Sequence, residues 1–247
     1  MFGFMLRLDF VTLFPEMIQG VLGTSMMKRA ADAKSVEFGT SNPRDYTTDK
    51  HRTVDDSPFG GGPGMLMKAE PVAQAIEALG KVDAIVMTDP TGRLFTQGNA
   101  KRLSELGHVV FVCGHYEGID DRIRQRYATD VFSIGDFVLT NGELPALVMA
   151  DAIVRLIPGV LGSEESLSID THADGLLSAP QFTRPEVWRD LTVPPVLLSG
   201  NHGEIEKWKR VQSLEVTRQT RPDLFAKAHL TEKDLKLLGL TALFDPL

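Results

Sequence analysis

Apolar runs of strand length recur along the first 140 residues, at 5–14, 83–88 (DAIVMT), 108–113 (HVVFVC) and 131–140, the last broken at Gly135. These runs are rich in β-forming residues and read as strands. Between them lie stretches with helical signals. "AEPVAQAIEALG" carries Pro71 near its first turn and Gly80 as a stop; "TQGNAKRLSELG" opens on Thr96 as a cap and stops at Gly107. Strands alternating with helices predict a mostly parallel sheet, and such sheets bind ligands at the carboxyl ends of their strands. The loops 89–93, 114–121 and 133–145 are therefore expected to surround a site.

A longer helix is predicted over 143–157, capped near Asn141, with Pro145 in its first turn and Pro158-Gly159 ending it. The polar stretch "SEESLSIDTHADG" after it reads as an interdomain linker. Beyond it, Ile205, Trp208, Val211 and Leu214 fall at helical spacing, and Thr231-x-x-Asp234 has the form of a capping box. This region is expected to be a small helical domain.

Composition narrows the function. A chain of 247 residues with 43% hydrophobic and 24% charged content is globular and suits a main domain with a smaller appendage. Its formal net charge of -7 argues against binding nucleic acid by overall basicity, so an RNA partner has to be met by local patches. The lone Cys113 forms no intramolecular disulfide and no cysteine zinc site, which fits a reducing, cytoplasmic setting. The apolar start carries Arg7 and Asp9 and reads as a first strand, and no run has the length of a membrane helix. The glycine-rich "DDSPFGGGPGMLM" at 55–67 is not a P-loop, because Met65 stands where the lysine belongs, and not a dinucleotide fingerprint, because residue 65 is not glycine.

Six segments together resemble one family, the bacterial tRNA (guanine-37-N1)-methyltransferases, knotted enzymes that use S-adenosylmethionine. They are "TLFPEM" (12–17), "PRDYTTDKHRTVDDSPFGGGPGM" (43–65), "CGHYEGIDDR" (113–122), "SIGDFVLTNGELPALVMADAIVRLIPGVLG" (133–162), "GLLSAPQFTRPEVW" (175–188) and "VPPVLLSGNH" (193–202), in family order. The residues before about Met5 look like an extension. The resemblance implies a mostly parallel α/β sheet tied in a deep trefoil knot and flanked by helices, a SPOUT-like fold, over 1–162. It further implies a linker over 163–178 and a small all-helical tRNA-binding domain over 179–247. Connection rules normally forbid such threading. The resemblance also implies a homodimer in which each active site uses residues of both subunits.

Methylating guanine N1 requires removing its hydrogen, and a carboxylate does this where burial lifts its pKa from about 3.9 toward the working pH. By resemblance Asp170 holds the position of that base, against the plainer reading of an exposed linker acid. Negative charge then grows on O6, and Arg155 matches the residue that stabilises it; the alternative is an i, i+4 pair with Asp151. The cofactor positions carried over are Asp89, Pro90, Gly92, Gly114, Tyr116, Ile134, Gly135, Leu139, Gly142 and Pro145, with the glycines equally readable as turn residues. Glu117 suits the donor edge of guanine, the alternative being an ion pair with Arg122. His115, where some relatives carry arginine, either contacts substrate or positions Tyr116.

The glycine loop is expected near the tRNA surface, with Arg44, His51, Arg52 and Gly60 as substrate contacts and Arg184 as another in the C-terminal part. Lys50, Lys207, Lys209, Arg210 and Arg218 add basic patches, each also readable as a solvated face. Magnesium dependence is implied by resemblance alone; no ligand cluster stands out in the sequence. Two other readings stay open: a related knotted methyltransferase acting on ribose 2′-OH or ribosomal RNA, and an RNA-binding module without catalysis. A lost base or broken cofactor loop would mark the last, and neither is seen.

Overall fold

The structure, a computed structural model, describes residues 5–161 and 170–239. The N-terminal extension and the first part of the expected linker lie outside these residues. By internal contacts the chain divides into two compact units, Met1–Gly162 and Ser163–Leu247.

The first unit is built on five strands: β1 (Leu6–Val11), β2 (Val36–Ser41), β5 (Ala84–Leu94), β6 (His108–Cys113) and β7 (Asp130–Ser133), in the order β2-β1-β6-β5-β7 and all parallel. The strands β3 (Asp55–Asp56) and β4 (Leu66–Met67) form a separate antiparallel pair. Alternation along the strands explains the two cores. Leu8, Phe10, Val86, Val109 and Phe111 face one layer, and Val11, Ile85, Met87, Val110 and Val112 the other. Helices α1 (Pro15–Leu22), α2 (Ser25–Asp32), α4 (Gln97–Ser104) and α6 (Glu143–Val154) cover the first face, while α3 (Ala69–Glu77) and α5 (Asp121–Tyr127) cover the second. Phe10 and Phe111, paired in register, stack with ring centroids 5.3 Å apart.

Several expectations shift at the ends of elements. The run 131–140 is a strand only as far as Ser133, after which residues 134–142 form a loop. Thr96 caps α4 through a full capping box with Asn99. The cap of α6, however, is Gly142 rather than Asn141, and α6 stops at Val154, where i→i+3 bonds from Leu156 and Ile157 tighten the chain ahead of Pro158. Residues 15–41 hold α1, α2 and β2, elements the hydrophobic pattern does not announce.

The second unit contains α7 (Pro195–Leu198), α8 (His202–Thr220), α9 (Pro222–Phe225) and α10 (Glu232–Leu237). It is not all-helical: β8 (Val187–Trp188) and β9 (Leu191–Thr192) pair antiparallel across a tight turn with Arg189 in the left-handed region. Two residues per strand are too few for the pattern to register. The middle of α8 is the hub. Arg210 donates to Asp234 at 2.7 and 3.0 Å and to Asp174 at 2.6 Å, joining α10 and the 170–175 turn to one helix. Buried Thr217 accepts from the Leu177 N–H, and Ser213 donates to the Leu177 carbonyl. The Arg210 guanidinium, helped by Thr231, holds Asp234 well below the usual carboxylate range.

Candidate active site

Parallel pairing brings the carboxyl ends of β5, β6 and β7 to one edge, and the loops leaving them enclose a cavity of about 350 Å³. Asp89, Pro90, Gly114, Tyr116, Ile134, Leu139, Gly142 and Pro145 line it, joined by Glu117. Gly92 and Gly135 do not. The Cβ that Gly92 lacks would lie 2.7 Å from backbone atoms of Val131 and Phe132, and that of Gly135 would lie 2.4 Å from the Phe137 ring. Both glycines thus allow close packing behind the wall. The excursion 89–92 is a register shift inside the pairing of β5 with β7, and Thr91 stabilises it by donating twice to Asp89 Oδ1 at 2.7 Å.

The tightest point is where α6 begins. Gly142 donates to the Gly114 carbonyl at 2.7 Å, and a Cβ on Gly142 would lie 2.2 Å from Thr88 Oγ1 and 2.7 Å from Gly114 N. Its φ of -88° is open to any residue, so space and not conformation demands glycine. The next residue, Glu143, is fully buried and accepts from Thr12 at 2.6 Å. Burial, and after it the neighbouring Glu143 carboxyl, pushes the Cys113 thiol up and favours its protonated form.

Tyr116 adopts a left-handed backbone and its hydroxyl meets Arg44 Nη2 at 3.5 Å. Arg44 and Arg52 exchange bonds with each other's carbonyls, and Arg52 also pairs with Asp45. The 3₁₀ turn Pro43–Tyr46 and the loop after it are thereby tied to the cavity's mouth. His51 lies beside them, its N–H donating to Asp49. The glycine loop divides in two. Gly60, Gly61 and Gly62 have positive φ and open space around them, whereas a Cβ on Gly64 would lie 2.2 Å from Glu117 Cγ. Glu117 makes no ion pair with Arg122; that arginine is taken by Asp120 at 2.6–2.8 Å. The pair holds the Asp120 carboxyl below its ordinary value.

Arg155 follows α6, its N–H donating to the Asp151 carbonyl at 3.1 Å. Asp170 belongs to the second unit and lines a cavity of about 560 Å³ there with Gln181, Phe182, Ile205 and Lys209. Arg184 is exposed in the same unit. Several wall residues were not candidates in the sequence, Arg124 and Thr88 among them, while Asn141 lies in the expected loop 133–145. The Asn141 carbonyl oxygen and the His115 Nδ1 are both buried without a hydrogen-bond partner among the described residues. Only the tertiary fold reveals such orphaned groups. Among the described residues no three His, Cys, Asp or Glu gather as a metal site, and no helix is long and apolar enough to cross a membrane.

The profile of the family described as tRNA (Guanine-1)-methyltransferase TrmD matches residues 6–227. A Staphylococcus haemolyticus protein named tRNA (guanine-N(1)-)-methyltransferase is 53% identical over 235 residues, covering 94% of this chain and 96% of its own. Proteins of the same name from Staphylococcus epidermidis and Staphylococcus aureus are 52% and 51% identical over the same shares of both chains. The chain therefore belongs to the tRNA (guanine-1)-methyltransferase family and is an enzyme of that family.

Proposed function

We propose that the protein methylates N1 of guanine 37 in tRNAs carrying guanine at position 36, with S-adenosylmethionine in the strand-end cavity. The observation that carries this is the convergence of the three family-matching loops on one cavity with Glu117 in its wall. The residues fit the cofactor. Ile134, Leu139 and Pro145 offer apolar surface, Gly114 and Gly142 offer close backbone, and the unpartnered Asn141 oxygen offers an acceptor to an amino group. When bound, the cofactor supplies an electrophilic methyl group on a sulfonium sulfur.

In this reading Asp170 would take the N1 proton, leaving the electron pair on the base, and Arg155 would face the charge that grows on O6. Glu117 accepts from the guanine donor edge and orients N1. Arg44, His51, Arg52, Gly60 and Arg184 contact the anticodon region, where single-stranded bases can splay out. Magnesium is assigned no residue and no step. The chain is knotted and works as a homodimer in the cytoplasm. The exposed apolar Phe137, Val138, Leu144 and Val148 support a partner surface, being 46–83% accessible in one chain.

The test is methyl transfer from radiolabelled S-adenosylmethionine to an unmodified leucine tRNA transcript, beside the same transcript with adenosine at 37. Label in the first alone is expected. Label in both, or in neither, would overturn the assignment of guanine 37. Asp170→Asn is expected to bind cofactor normally and to lose methyl transfer by more than about 10³-fold, the upper range for a lost general base.

A further inference from the structure

Behind the β5 excursion lies a second cavity, of about 410 Å³, between α5 and β7. Arg93 and Arg124 both line it, and Thr91 and Arg124 also form part of the cofactor cavity's wall. Neither arginine was a candidate site residue from the sequence. We propose that this cavity takes a phosphate group of the tRNA backbone; the proposal rests on the tRNA reading above.

Three observations carry it. First, Arg93 is held in place beforehand. Its guanidinium carbon sits 5.3 Å from the Phe132 ring centroid, and Nη2 donates to Asp130 at 3.1 Å. A preordered guanidinium loses little freedom on binding and presents its planar fork to a phosphate. Second, the local charge is positive. Asp130 is shared with Arg102 at 2.8 Å, so one carboxylate faces two guanidiniums before Arg124 is counted. Among the described residues Asp130 is the one carboxylate in this cavity's lining beside Arg93 and Arg124, while Asp89 and Asp121 line the cofactor cavity. Third, Arg124 has capacity to spare. Among the described residues its side chain makes one bond, to Thr91 Oγ1 at 3.4 Å, of the five a guanidinium can donate. A chain with net charge -7 must hold a polyanion at such local sites.

The experiment is tRNA binding by wild type, Arg93→Gln/Arg124→Gln and Arg93→Lys across a salt series. Each phosphate contact adds about 0.7–0.9 to the slope of log affinity against log salt, so the double variant, losing one phosphate contact, should lose about that much slope and bind roughly tenfold more weakly. Arg93→Lys keeps the charge and should keep the slope. Replacing chloride by inorganic phosphate at equal ionic strength should weaken tRNA binding more in wild type than in the double variant. An unchanged slope in the double variant, or equal competition by phosphate in both proteins, overturns the proposal. Thermal melting and far-UV circular dichroism of the double variant, matched to wild type, establish a folded protein, so that lost slope is not lost structure. A wild type that labels no tRNA overturns the function reading instead, an outcome distinct from methylation with an unaltered salt slope.

Discussion

The strand-end edge of the first unit and the Arg210 hub of the second are organised by opposite physics. At the edge, three loops meet through backbone and absent side chains: Gly142 against Thr88 and Gly114, Gly64 against Glu117, Gly92 against β7. At the hub, three chain segments meet through charge, with one arginine donating to two carboxylates. Contacts made of missing atoms tolerate no addition, whereas contacts made of charge tolerate size but depend on ionisation. The two regions should therefore fail under different insults.

The largest effect is expected at Gly142. An added methyl group would overlap the Thr88 hydroxyl, Gly114 N and Cys113 Cα at 2.2, 2.7 and 2.9 Å, two of them backbone atoms with nowhere to move. Gly142→Ala should cost about 3 kcal/mol or more, the upper range for overpacking, and abolish cofactor binding. Chemical denaturation together with calorimetry reads both; a variant that binds cofactor normally would show that the edge is softer than its geometry implies.

Next comes the hub. Asp234 is held below its ordinary value in the folded chain, so its contribution to stability is fully present above the unfolded carboxylate pKa of about 3.9 and is lost as pH falls below that. Asp234→Asn should cost about 2–3 kcal/mol near neutral pH, in the range of a lost charge-assisted bond. It should also flatten the acid limb of stability measured between pH 5 and about 2. Asp223, exposed and lowered to about 2 by Arg221, has the same sign. The Gly142 variant should keep the wild-type acid limb, which is the sharpest contrast between the regions.

What was legible in the sequence follows the same division. HVVFVC and DAIVMT declare strands because both faces are buried, and once they are parallel the three loops must share an edge. The cavity's wall could thus be read before any coordinates. Arg124 could not, because a helix-face arginine looks like any other until the fold surrounds it. Residues 15–41 stayed silent for a related reason. In β2 (VEFGTS) only Val36 and Ser41 are buried, and Gly39 packs on Asp9 without adding apolar signal. The hub was half visible, since the Thr231–Asp234 box appears in the sequence, but its partner Arg210 lies 24 residues away.

The smallest effects should come from the glycine loop, where the edge can be tested against itself. Gly61 and Gly64 have nearly equal φ, 77° and 85°, so a side chain strains both backbones alike, by roughly 1 kcal/mol. Only Gly64 has something in the way, the Glu117 side chain, while nothing lies within 4 Å of the position at Gly61. Gly64→Ala should therefore push Glu117 out of the cavity's wall and raise KM for tRNA about tenfold, with cofactor affinity little changed. Gly61→Ala should cost only the backbone strain and leave KM within about twofold. The difference between the two variants isolates the steric contact from the conformational one. Equal kinetics in both would mean that Glu117 does not need the place Gly64 leaves for it.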